Sequence, residues 1–182
     1  MTLVTTSWLN ENLNKVKIID ASWHLAKNRN AFEEYNKEHI KDAIFFDLDK
    51  NSNQKEDLPH GHFLPLIINH EKSVSNMGIL NTDKVIIYCC SDLISSCRAW
   101  FQFIYFGHDP KLVSILNGGM KKWKLENRNV TNLKNKIIPS KYKAGENNNM
   151  VKVKSQIEEN IKKKKFTVLD ARSRNRFLGL KP

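Results

Sequence analysis

Apolar residues in this chain fall in short dense runs, and longer mixed stretches separate them. The runs Val16 to Ala21, Ala43 to Phe46, Lys84 to Tyr88 and Leu112 to Leu116 are rich in Val, Ile and Leu, which predicts strands. Between them the pattern predicts helices near Arg29 to Glu38, Leu66 to Asn76 and Ser95 to Phe106, with Gly78 and Gly107 placed to stop the second and third. In the third helix Ala99, Phe103 and Phe106 fall on one stripe, with Trp100 and Ile104 beside it. That face is expected to pack on a sheet. Strands alternating with helices predict an α/β domain, with a central, mostly parallel sheet flanked by helices.

The pattern fades from Asn127 to Asn149, where Pro139, Gly145 and the run Asn147 to Asn149 oppose regular structure. The later part of this stretch is expected to be a linker. A helix over Val151 to Ile161 and a strand over Phe166 to Ala171 are predicted beyond it. Here the chain echoes itself: a helix leads into Ile18-Ile19-Asp20-Ala21-Ser22 near the start and into Val168-Leu169-Asp170-Ala171-Arg172 near the end, which suggests duplication. The expected organisation is a first domain over residues 1–138, a linker over 139–150, and the beginning of a second domain over 151–182. One helix and one strand bury no core of their own.

Composition refines this picture. A chain of 182 residues, 40% apolar, suits one ordinary domain and something extra. Lysine and arginine outnumber the acids 30 to 19, a formal charge of +11, but the lysines are scattered apart from Lys162 to Lys165. No basic and aromatic arrangement of a nucleic-acid module is present, so no nucleic-acid partner is expected. No run approaches the about 20 apolar residues that cross a bilayer, and Met1 to Lys15 lacks a signal pattern, so a soluble cytoplasmic protein is expected. Cys89, Cys90 and Cys97 are odd in number and crowded together, which points to reduced thiols. Adjacent cysteines chelate poorly and no CxxC spacing occurs, so neither zinc nor another metal is expected. A phosphatase loop needs Arg six residues after its Cys, and Ser95 and Ser96 stand at those positions.

Seven segments then share one resemblance: Ile19-Asp20-Ala21-Ser22-Trp23; His39 through Asp49; His62-Phe63-Leu64-Pro65; Arg98-Ala99-Trp100; Phe106-Gly107-His108; Leu116 through Trp123; and Leu169-Asp170-Ala171-Arg172 with Arg176-Phe177. In order and over nearly the whole chain, they resemble the two-domain rhodanese family, the thiosulfate and 3-mercaptopyruvate sulfurtransferases. The resemblance implies a rhodanese-like domain of the non-catalytic type followed by a truncated second one. It also implies transfer of sulfane sulfur from a small anionic donor to a thiol or cyanide, through a cysteine persulfide and without a cofactor. The family's nucleophile belongs to the second domain, beyond the segment seen here, which implies a separate chain carrying that domain as one partner.

Within this chain Cys89 follows a strand directly and precedes a loop of fitting length, the setting in which backbone amides hold a thiolate. Asp92 opposes that charge and no glycine eases the amide ring, which favours a structural thiol. The resemblance assigns His62 to the family histidine that reaches toward the active site and Asp49 to the carboxylate that orients it, with Pro59-His60-Gly61 as a short insertion between them. It assigns Arg176 to a residue gripping the anionic substrate, whereas Arg98 reads as structural. Three functions remain open: a split enzyme completed by another chain, a self-sufficient rhodanese using Cys89, and a non-enzymatic remnant or binding module.

Overall fold

The computed structural model describes residues 2–26, 28–53, 62–91 and 94–181. They divide into two compact units, residues 1–147 and 148–182.

Strands of the first unit are β1 (Leu3–Val4), β2 (Lys17–Asp20), β3 (His39–Ile40), β4 (Ala43–Phe45), β5 (Val85–Tyr88), β6 (Val113–Leu116) and β7 (Val130–Thr131). Its helices are α1 (Thr6–Asn12), α2 (Ala31–Lys37), α3 (Ile67–Asn76), α4 (Ser96–Tyr105) and α5 (Gly119–Leu125). Five strands form one sheet in the order β1-β6-β5-β2-β4, with every neighbouring pair parallel. β3 and β7 form a separate antiparallel pair. The four apolar runs thus become strands and the three intervening helices form where expected, so the α/β expectation holds.

Parallel strands need helical crossovers, which cover both faces and explain the unbroken burial of β5 and β6. On one face Ile18, Ile86, Tyr88 and Leu116 pack with Leu9 of α1 and with Met120 and Trp123 of α5. The alternate residues, Ile19 and Ile87, point to the opposite face by the two-residue period of strands. α4 packs on β5 and β6, and its stripe residues Ala99, Phe103 and Phe106 are fully buried, as expected. Both helix stops are realised: Gly78 and Gly107 adopt φ +66 and +86, and the next residues bond back to Val74 and Phe103.

The stretch from Pro139 to Asn147, expected as linker, lies along α3 and α4 as an extended strap. Ser140 N–H donates to Ser75 O at 2.8 Å, Ala144 N–H to Glu71 Oε2 at 2.9 Å and Gly145 N–H to Phe106 O at 3.0 Å. Its bonds go to helix ends and side chains, not to a ladder, so no period marks it in the sequence.

The second unit holds α6 (Lys154–Lys163) and α7 (Arg174–Phe177). The strand expected over Phe166 to Ala171 does not form: those residues are exposed and have no ladder partner among the described residues. A strand draws its stability from neighbours, and this unit offers none. Asn160 instead pins the segment's start through both Phe166 N–H and O. Among the described residues no helix is long and apolar enough to cross a membrane.

Candidate functional site

From β2 the chain runs through α2 to β4 on one side of the sheet; from the adjacent β5 it runs through α4 to β6 on the other. Diverging connections open a crevice at the carboxyl ends of β2 and β5, the usual ligand position of open parallel sheets. Asp20 to His24 and Cys89 to Ser91 line that end. Asp20 is buried, and its Oδ1 accepts Ser22 N–H at 2.9 Å and the Ser22 hydroxyl at 2.5 Å. Burial raises the Asp20 carboxyl above its ordinary range, against the opposing pull of the Ser22 bonds. Ser22 Oγ in turn accepts Cys90 N–H at 2.8 Å, and Ser95 Oγ donates to Ala21 O at 2.6 Å. These bonds tie the loop after β5 to the loop after β2.

Cys89 stands directly after β5, buried, with its thiol donating to Ser96 Oγ at 3.4 Å. Its carbonyl accepts Met120 N–H at 3.1 Å and lies where a Cβ on Gly119 would come within 2.5 Å, so glycine at φ +53 permits the approach. The first amide of the loop, that of Cys90, is engaged by Ser22. At the start of α4, Cys97 and Arg98 N–H donate to Ile94 O and Ser95 O, so these helix-terminal donors are satisfied within the chain. Asp92 lies outside the described residues, as does Pro59-His60-Gly61.

Asp49 and His62 are brought together. His62 Nε2 lies 2.6 Å from Asp49 Oδ1, and the Trp23 indole N–H donates to the same oxygen at 3.1 Å. The Trp23 ring meets the imidazole edge-on at 4.8 Å between centroids, and Arg98 Nη2 donates to the His62 carbonyl at 2.5 Å. His62 adopts φ +67, a left-handed conformation costing a non-glycine residue roughly 1–2 kcal/mol. The surrounding contacts hold it there. Arg98 thus contacts the backbone of His62, not its ring. Arg176 lies in α7 of the second unit and is exposed.

Sequence reasoning missed a cluster at the crevice. His24 Nε2 lies 3.1 Å from Glu34 Oε2, and the Cys90 thiol donates to that oxygen at 3.3 Å. Arg29 grips the same carboxylate, Nε to Oε1 at 2.8 Å and Nη2 to Oε2 at 2.7 Å, and is the main reason Glu34 is lowered to about 2. Burial, reinforced by the Asp20 and Glu34 charges, pushes the Cys90 thiol up to about 12. A cavity of about 530 Å³ is lined by Cys90, Glu34, Arg29, Lys37 and Lys121 among others. The Glu34 and Cys90 partners are 56 residues apart, a distance no spacing motif spans.

The rhodanese-like domain family matches residues 5–126. The chain is 34% identical over 188 residues to thiosulfate sulfurtransferase of Rattus norvegicus, covering 99% of this chain and 62% of that protein. It is 33% identical over 189 residues to 3-mercaptopyruvate sulfurtransferase of Homo sapiens, with the same coverage. The crystal structure of the 3-mercaptopyruvate sulfurtransferase SseA from Escherichia coli superimposes with a TM-score of 0.87 at 28% identity, over 97% of this chain and 68% of that one. The chain therefore spans less than two thirds of the length of these curated relatives. A parallel sheet in this strand order, the bonded carboxyl-end loops and the match over most of the first unit lead to one conclusion: the chain belongs to the rhodanese-like domain family, among the relatives of the thiosulfate and 3-mercaptopyruvate sulfurtransferases.

Proposed function

We propose that this chain contributes to sulfur transfer of the thiosulfate or 3-mercaptopyruvate type, with the sulfur carried as a cysteine persulfide on a thiolate supplied from outside residues 1–182. That thiolate belongs to a further segment or to a separate chain. The supporting observation is a contrast within the crevice: Asp49 and His62 stand assembled at 2.6 Å, whereas Cys89 donates to Ser96 and its leading loop amide is engaged by Ser22. A thiolate needs free amides around it, and this loop leaves its first one occupied.

The chemistry balances without a metal or redox partner. The thiolate attacks the sulfane sulfur of thiosulfate, a new S–S bond forms as the old one breaks, and sulfite leaves with the electron pair. Cyanide then takes the sulfur as thiocyanate and restores the thiolate. With Asp49 accepting from Nε2–H, His62 keeps Nδ1 as an acceptor, suited to taking the proton of an incoming thiol. The chain's positive charge favours approach of the anionic donor. Three free cysteines suit a reducing, cytoplasmic setting.

The test is thiocyanate formation from thiosulfate and cyanide, by the chain alone and with the part of a relative's chain that it does not cover. No turnover is expected alone, and turnover is expected on completion. In the completed protein His62→Ala should lower kcat/KM by about 100-fold. Turnover by the chain alone that disappears in Cys89→Ser would overturn the proposal in favour of a self-sufficient rhodanese.

A further inference from the structure

We propose that His24, Glu34 and Cys90 form a binding site for a single zinc-like divalent cation, its fourth position open to the crevice cavity. The three side chains offer one imidazole nitrogen, one carboxylate oxygen and one sulfur, all within 4.8 Å of one another. Two of the three separations are 3.1 Å from the His24 nitrogen to the Glu34 oxygen and 3.3 Å from the Cys90 sulfur to the same oxygen. Tetrahedral zinc, at its usual bond lengths, spaces such atoms about 3.3–3.6 Å apart, so the cluster needs to adjust by only tenths of an ångström along those two edges. No other group of three such ligands occurs among the described residues.

Chemistry and surroundings fit the same cation. A mixed nitrogen, oxygen and sulfur set favours zinc over magnesium or calcium, which prefer oxygen alone. Arg29 holds Glu34 through Oε1 as well as Oε2, so the carboxylate stays oriented when Oε2 turns to the metal, as an outer partner does in a built site. The backbone of Cys90 is fixed by Ser22, which in turn rests on the buried Asp20. Cys90 and Glu34 line the cavity of about 530 Å³, which provides the entry path and the space for a fourth ligand. On binding, the Cys90 thiol proton leaves to solvent and sulfur bonds the cation as thiolate, so the two anionic ligands balance the dication and Arg29 beside them leaves one positive charge. Lys37 and Lys121, which also line the cavity, then favour a small anion as the fourth ligand. None of this depends on whether the chain transfers sulfur.

The test is titration of the reduced, full chain with Zn2+ by calorimetry and with Co2+ by absorption. Expected are one ion per chain, a thiolate-to-cobalt charge-transfer band, and protection of Cys90 from alkylation. Cys90→Ser and His24→Ala should each weaken binding by more than about 100-fold, beyond the usual loss from an outer-shell change, with the far-ultraviolet dichroism of each variant confirming the fold. Cys89→Ser should leave binding intact. The absence of saturable binding, or binding that survives both Cys90→Ser and His24→Ala, would overturn the site and leave the cluster as an ion pair anchoring α2.

Discussion

Asp20 and Asp170 occupy equivalent places in the internal echo, and they differ in almost everything except their immediate turn. Each accepts the backbone N–H two residues on at 2.9 Å, to Ser22 in one and Arg172 in the other. That turn depends only on adjacent residues, and so it forms twice. Beyond it, the four residues ending at Asp20 form β2 between β5 and β4, whereas those ending at Asp170 are exposed and have no ladder partner among the described residues. Asp20 is buried and its carboxyl is raised; Asp170 is held at about 2 by hydrogen bonds from Arg172. Local chemistry writes the turn, but only a sheet writes the strand.

The largest effect that separates the two regions lies in their apolar residues. Trp123, fully buried in the core of the first unit, should cost about 3–5 kcal/mol when changed to Ala, read from urea unfolding. Leu169, 85% exposed in the second unit, should shift the same transition by no more than about 0.5 kcal/mol. A large loss at Leu169 would show that the second copy packs as the first does.

A smaller effect concerns the two aspartates and their titration. Asp20→Ala leaves the Ser22 N–H without its buried acceptor and should cost about 1–3 kcal/mol. Asp20→Asn keeps an acceptor and removes the charge, so its effect depends on pH. The folded pKa of Asp20 is raised, so between 3.8 and that value the folded chain holds a proton the unfolded chain has lost, and raising the pH costs stability. Asp20→Asn should therefore gain on the wild type as pH rises through this window. His70, lowered to about 3 by burial, gives the opposite slope in both proteins and cancels in the difference. Asp170, lowered to about 2, contributes stability that is lost as pH falls from 3.8 toward 2, so Asp170→Asn should show the reverse trend, and weakly, because the pair is exposed.

These contrasts mark what the sequence could reveal. Dense apolar runs announced β2, β4, β5 and β6 because at least two buried apolar residues fall in each. β1, β3 and β7 have two residues apiece, too few for any period, and α5 is only seven residues long behind Asn117-Gly118. The strand expected over Phe166 to Ala171 had the right residues and lacked a neighbour. Asp49 and His62 were legible only through resemblance, since they stand 13 positions apart, a spacing that no motif marks. His24, Glu34 and Cys90 left no trace at all, because only the pairing of β2 with β5 brings the loop of Cys90 beside α2.

The most direct test of the proposal that the sulfur-carrying thiolate lies outside residues 1–182 is the intact mass of the chain after incubation with thiosulfate. The predicted result is an unchanged mass, with Cys89, Cys90 and Cys97 all recovered as thiols. A stable gain of one sulfur on Cys89, released by cyanide as thiocyanate, would contradict it.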